Sequence, residues 1–240
     1  MGAYCWKGSE MSIIWISDRY TEDLKRALAA GVHEIAPVRP CEAVSEPISM
    51  HADIFLCKLG TELKSPVFHG NADLLGAQYP ADVLYNAVVT ERFMICNIKT
   101  VCKDIIDATK YIYPDIKIIN VKQGYTKCNM VVLDDSHFIT EDAGIAKAIA
   151  DLAEKEHLEG LECLLVRPGY VKLPGYDRGF IGGASGRIGN DIWFNGDISQ
   201  HPDFDRIKAF IDKCGLGLRY LPGAELTDIG SIIEEYDIIY

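Results

Sequence analysis

Residues 127–140 read KCNMVVLDDSHFIT: an apolar run, a short acidic turn at Asp134-Asp135, and a second apolar run. Two brief apolar stretches around a polar turn are the pattern of a β-hairpin. The same grammar recurs in YNAVVTERFMICN (85–97), turning at Glu91-Arg92, and in LTDIGSIIEEYDIIY (226–240), turning at Glu234-Glu235. A fourth copy, GGASGRIGNDIWFNG (182–196), has a glycine-rich first strand.

Helical periodicity follows three of these hairpins. Val101, Ile105, Ala108 and Ile112 share one face of a helix over 100–112, stopped by Pro114. Ile145, Ile149 and Leu152 do so over 141–156, with Thr140 as N-cap and Glu141 and Asp142 in the first turn. Past His201-Pro202-Asp203, where Pro202 suits a first helical turn, Phe204, Ile207, Phe210, Ile211 and Cys214 form a third stripe closed by Gly215. Each helix leads to another apolar strand, at 116–121, 161–166 and 216–221. An incomplete copy opens the chain: a strand at 13–17, a helix at 21–30 ended by Gly31, and a strand at 32–38. HADIFLCKLG (51–60) begins the next unit, and 61–84 carries no clear helix.

Superposing the first strands aligns Asp53, Asn86, Asn129, Gly183 and Asp228, which gives five units. A unit of this kind cannot bury both faces alone, so its neighbours must cover it. The expected fold is α/β: a five-bladed β/α-propeller of pseudo-symmetric ββαβ units around a central axis, one domain over 1–240. Alternating strands and helices by themselves would also suit a three-layer α/β protein.

A net charge of −11 argues against a nucleic-acid binder and against an anionic membrane surface, and favours a cationic ligand at long range. No apolar run reaches the roughly 20 residues of a membrane span. The N-terminus lacks the basic start and apolar stretch of a signal peptide. Eight cysteines are scattered singly, with no CxxC pair, so reduced thiols in a cytoplasm are expected.

Five strand-strand-helix-strand units resemble the pentein superfamily, which includes arginine deiminases, dimethylarginine dimethylaminohydrolases, amidinotransferases and agmatine deiminases, together with non-catalytic ribosome anti-association factors. The patches HADIFLCKLG (51–60), YPADVLYN (79–86), VKQGYTKC (121–128), LPGYDRGFIGGASG (173–186), NGDISQHPD (195–203) and LTDIGSI (226–232) resemble a bacterial branch of that superfamily. The resemblance implies one pocket near the starts of the inner strands, with carboxylates gripping a guanidinium, a histidine, and a nucleophilic cysteine in the last unit. That unit here reads Leu226-Thr227-Asp228-Ile229-Gly230-Ser231, and no cysteine lies after Cys214.

Asp53 and Asp228 hold equivalent positions and could converge as an acidic hollow for a guanidinium, whose planar fork pairs with carboxylates. Cys128 is the only cysteine beside an equivalent position and would be the attacking thiol, with catalysis moved from the last unit to another; Lys127 precedes it, and a nearby cation raises the thiolate fraction. Residues adjacent on a strand point to opposite faces, however, which separates the two. His51 and Asp53, two residues apart, would share one face of a strand with Cys57, His51 moving protons and Asp53 orienting it. Asn86 and Asn129 are either turn residues or amide donors into the pocket. The run Gly179-Phe180-Ile181-Gly182-Gly183-Ala184-Ser185-Gly186 is not GxGxxG, and a strand follows it, so Gly182 and Gly183 mark close backbone approach to a ligand or another strand. No cysteine-histidine spacing suits zinc, and no metal or cofactor is expected. Two functions stand at this point: hydrolysis or transfer at a C–N bond of a small guanidino or amidino compound, and non-catalytic binding of a cationic metabolite or a macromolecule. The residues leave the oligomeric state open.

Overall fold

The computed structural model describes residues 12–19, 22–29 and 33–236. Cys5, Gly31 and the final residues of the expected last hairpin, 237–240, lie outside them.

In chain order, strand β1 (Ser12–Ser17), helix α1 (Glu22–Ala29) and β2 (His33–Val38) come first. Strands β3 (Leu56–Lys58) and β4 (Val67–His69) follow. Next come β5 (Val88–Val89), β6 (Phe93–Cys96), α2 (Lys103–Ile112) and β7 (Lys117–Asn120). Then β8 (Met130–Val132), β9 (His137–Thr140), α3 (Ala143–Lys155) and β10 (Glu162–Leu165). The chain continues through β11 (Ser185–Ile188), β12 (Asp191–Phe194), α4 (Phe204–Lys213) and β13 (Gly217–Arg219) to β14 (Ile233–Tyr236).

These strands form five small sheets, none closed on itself: β5-β6-β7, β8-β9-β10, β11-β12-β13, β14-β1-β2 and the two-stranded β3-β4. In the first three, a tight hairpin pairs the first two strands antiparallel, and a helical crossover brings the third in parallel to the second. A parallel neighbour needs such a crossover, whereas an antiparallel one needs only a turn. Between β3 and the next sheet there is no α-helix, in keeping with the loop character of 61–84.

The fourth three-stranded sheet departs from expectation. Glu234 and Glu235 are not a turn: they sit in β14, opposite Ile14 and Ile13 of β1. The apolar strand β1 would otherwise leave an edge unpaired, and β14 covers it. Both acidic side chains find partners there. Glu234 accepts from the Ser12 hydroxyl at 3.0 Å and from Gly189 N at 2.9 Å. Glu235 accepts from the Trp15 indole at 2.5 Å and faces His69 at 2.9 Å.

Helix starts also shift. Thr140 ends β9 instead of capping α3; Asp142 is the cap, accepting from Gly144 N at 2.7 Å and Ile145 N at 2.9 Å. Thr140 accepts from Asp142 N at 3.1 Å, which releases Glu141 to turn inward. Pro202 precedes the cap position Asp203 and is not in the helix. Gly215, at φ +70, ends α4 as its sequence implies. The helices lay apolar stripes on the sheets: Ile145 and Ile149 of α3, packed against its own sheet and the preceding one, are fully buried, as are Ile207 and Ile211 of α4, whereas Ile112 at the end of α2 is exposed. Burial of one such side chain contributes about 1.5–3 kcal/mol.

The first strands adjoin one another: β3 lies against β5 and β14, and β11 against β8 and β14. Among the described residues no helix is long and apolar enough to cross a membrane.

Candidate functional site

The segments just before the five first strands are stitched together by hydrogen bonds. The Asn86 amide donates to Asp53 O at 3.2 Å and accepts from the backbone of Lys127 at 2.7 Å and Cys128 at 3.2 Å. Gly183 N donates to Cys128 O at 2.8 Å, and Gly183 O accepts from Ser231 N at 2.7 Å. Asp53 N donates to Gly230 O at 3.0 Å, which closes the circuit. Residues remote in sequence are thereby fixed at one place. Asn86 is a stitch between segments, and its amide also reaches the Cys128 thiol at 3.2 Å.

Two glycines permit this closeness. A Cβ on Gly183 would lie 2.1 Å from Asp228 Oδ1, and one on Gly182 would lie 2.4 Å from backbone oxygens of Lys127 and Met130. Gly182 O in turn accepts from the Ser231 hydroxyl at 3.1 Å. The close approach is to protein.

Asp53 is fully buried, and its Oδ2 accepts from the Ser231 hydroxyl at 2.6 Å and the Cys128 thiol at 3.1 Å. Its Oδ1 has no hydrogen-bond partner. Ser231 is in turn approached by the Lys127 ammonium at 3.0 Å. The run is therefore Lys127, Ser231, Asp53, Cys128. Burial, then the Asp53 and Asp228 charges, push the Cys128 thiol well above its ordinary range, while the Asn86 amide opposes this. Burial pulls Lys127 down.

His51 and Asp53 do not share a strand face. The backbone after His51 closes into a single helical turn, Ala52–Ile54, with Ile54 N bonded to His51 O at 3.3 Å. That turn sends Asp53 to Cys128 and His51 to Asp228, whose Oδ1 lies 3.9 Å from His51 Nδ1. Cys57 is elsewhere, its thiol donating to Ala87 O at 3.4 Å. Burial lowers His51 to about 4, against the pull of Asp53, so the imidazole is neutral at pH 7. Burial raises Asp228 to about 6, although Gly230 N and Phe180 N each donate to it at 2.9 Å.

His51, Cys128 and Asp228 line one cavity of about 130 Å³, with Tyr125, Phe180, Tyr176 and Arg178 among its walls. Asp53 stands behind Cys128 and does not line it. Asn129 does not line it either: its amide donates to Tyr125 O at 3.0 Å, tying its own loop.

Several members of this neighbourhood escape a sequence reading. Ser231, at φ +69, is one of two non-glycine residues in the left-handed region among the described residues, a conformation uncommon outside glycine. Tyr125 donates to Asp82 at 2.5 Å. Glu141 accepts from Ile181 N at 2.8 Å, its other oxygen has no hydrogen-bond partner, and burial lifts it to about 7.

A single acidic hollow is also not what forms. A second cavity of about 80 Å³ lies among the five first strands, and its charged walls are Lys58, Lys127, Arg187 and Glu234. Farther off, Asp134, His137 and Cys214 bring ligating atoms within 4.8 Å of one another. There Asp134 Oδ1 already accepts from Ser136 N at 2.8 Å and His137 N at 2.9 Å, the bonding of a hairpin turn.

Sheet order and site together define a mixed α/β protein with a buried thiol, carboxylate and imidazole cluster at the head of its first strands. The chain belongs to a family of unknown function, DUF6873, whose model matches residues 61–233. That stretch includes Asn86, Cys128, Gly183 and Asp228, and begins after His51 and Asp53. No curated protein matches the chain.

Proposed function

We propose that the five sheets are the blades of a pentein-type β/α-propeller, and that the cavity of Cys128, His51 and Asp228 cleaves or transfers at a C–N bond of a small guanidino or amidino compound. The observation that carries this reading is the meeting, in one cavity, of a thiol, a neutral imidazole and a carboxylate from three distant segments. Asp228 and the charge of Asp53 behind the thiol favour a planar cation. A bound cation offsets the two carboxylates that hold the thiol protonated, so ligand binding itself activates the nucleophile.

The steps balance simply. Cys128 gives its proton to neutral His51 as sulfur bonds to the amidine carbon, and Asp228 steadies the imidazolium. The C–N bond breaks as the leaving amine takes that proton. Water then adds at the same carbon, His51 again accepting a proton, and the C–S bond breaks as Cys128 recovers it. In this reading the nucleophile sits in the third ββαβ unit instead of the last, where Gly230-Ser231 is found.

A second reading is favoured by one observation: the thiol is buried and donates to the Asp53 carboxylate. A non-catalytic propeller binding a small cationic metabolite fits that state without activation. Chloroacetamidine treatment followed by peptide mass spectrometry separates the two. Selective labelling of Cys128, slowed by small guanidino compounds, supports the enzyme. Thermal stabilisation by such compounds with no labelling and no turnover supports the binding protein.

A further inference from the structure

The second cavity is lined from all five first strands: Lys58 of β3, Val88 of β5, Val131 of β8, Arg187 of β11 and Glu234 of β14 are on its walls. Lys127 enters it beside them. Three cations face one carboxylate here, in a chain whose net charge is −11.

The cations are held by neutral groups. Arg187 donates to Gly189 O at 3.0 Å and Leu133 O at 2.7 Å, Lys58 to Leu63 O at 3.3 Å, and Lys127 to the Ser231 hydroxyl at 3.0 Å. Among the described residues none of the three is in ion-pair contact with a carboxylate. Glu234 is itself occupied by Ser12 and Gly189. All three are half-buried; burial lowers both lysines, while Glu234 acts on Lys58 and Asp53 on Lys127 through space in the opposite direction. An anion placed between the three cations would be held by like charges that repel one another without it. Between the charged groups the wall is apolar, made by Val88, Val89, Val131, Val132 and Ile233.

We propose that this cavity binds a small organic carboxylate, its carboxylate between Lys58, Lys127 and Arg187 and its short apolar body against the valines. The site does not depend on the chemistry assigned to Cys128. It does communicate with it, because Lys127 touches Ser231, which shares Asp53 with the thiol. An anion beside Lys127 draws the ammonium away from Ser231 and adds negative potential near Cys128, so occupancy lowers thiolate reactivity.

Calorimetric titration of the full chain with butyrate, at fixed ionic strength, tests the site. Saturable binding is expected, weakened at least tenfold in Lys58→Met and in Arg187→Gln and unaltered in Lys103→Met, an exposed lysine of α2 that lines neither cavity. Inorganic phosphate binding in place of butyrate would overturn the assignment to a carboxylate with an apolar body, and no binding of either would overturn the site itself. Should the two variants fail to fold, crystals of the unaltered protein soaked in 4-bromobutyrate decide the matter. Anomalous density between Lys58 and Arg187 is the expected result, and density elsewhere or none refutes it.

Discussion

Ser231 and Asp53, 178 residues apart, are joined by a hydrogen bond of 2.6 Å to the same carboxylate oxygen that receives the Cys128 thiol. The thiol therefore competes with a hydroxyl for one acceptor, under a field that resists its ionisation.

Asp53→Asn removes the carboxylate charge that opposes thiolate formation. The pH at which Cys128 reaches half its maximal alkylation rate with iodoacetamide should fall by about one unit or more. An unchanged or rising midpoint would show that burial alone governs the thiol.

Glu141 carries a pH-dependent stability. Burial lifts it from an ordinary 4.5 to about 7, so between those values the folded chain keeps a proton that the unfolded chain has released. Stability from this group is present below that window and falls as pH rises through it. Asp228, raised to about 6, acts in the same direction, whereas His51, lowered to about 4, adds stability as pH rises toward 6.5. Glu141→Gln stays neutral throughout. Relative to the unaltered protein it should gain on the order of 3 kcal/mol at pH 8 and little at pH 4. Urea melts at both pH values measure this, and a difference independent of pH refutes it.

Gly183→Ala forces a methyl into Asp228, whose Oδ1 would stand 2.1 Å away. A loss of about 1–3 kcal/mol is expected in urea unfolding. Adding Asp228→Ala to that variant should recover part of it by clearing the clash. If the double variant is no better than the sum of the single ones, the contact is not the cause.

Glu234→Ala strips the acceptor from Ser12 and Gly189. The cost should be about 1–3 kcal/mol, and smaller for Glu234→Gln, which retains an acceptor oxygen. Equal losses for the two substitutions would mean that charge, and not the lost acceptor, is responsible.

The elements were legible where periodicity is strong. Hairpin turns at Glu91-Arg92 and Asp134-Asp135 and the buried stripes of α3 and α4 follow from apolar spacing alone, whereas of the stripe expected over 100–112 Val101 precedes α2 and Ile112 is exposed. That the segments of Asp53, Asn86 and Gly183 meet was legible as well, but the third and last segments join them through Cys128 and Gly230-Ser231, one to three residues away from the superposed Asn129 and Asp228. What the sequence hides is direction. Nothing in His-Ala-Asp-Ile distinguishes an extended strand from one helical turn, and that turn decides whether His51 faces Asp53 or Asp228. Glu234-Glu235 has the composition of a turn, and only the unpaired edge of β1 explains its extended form. Ser231, Tyr125 and Glu141 carry no pattern of their own; their roles come from contacts across 40 residues of chain or more.

The pairing of β14 with β1 makes the last strand the clasp of the first sheet, with Ser12 and Glu234 meeting across 222 residues. A ribosome must release everything from Ser12 to Tyr236 before that clasp can shut, and until then the apolar edge of β1 stands open to any other strand. The same clasp brings the first and last strands side by side. New ends cut into an exposed turn such as Glu159-Gly160, with Ser12 and Tyr236 joined by a short linker, should leave the architecture intact while changing which sheet is completed last.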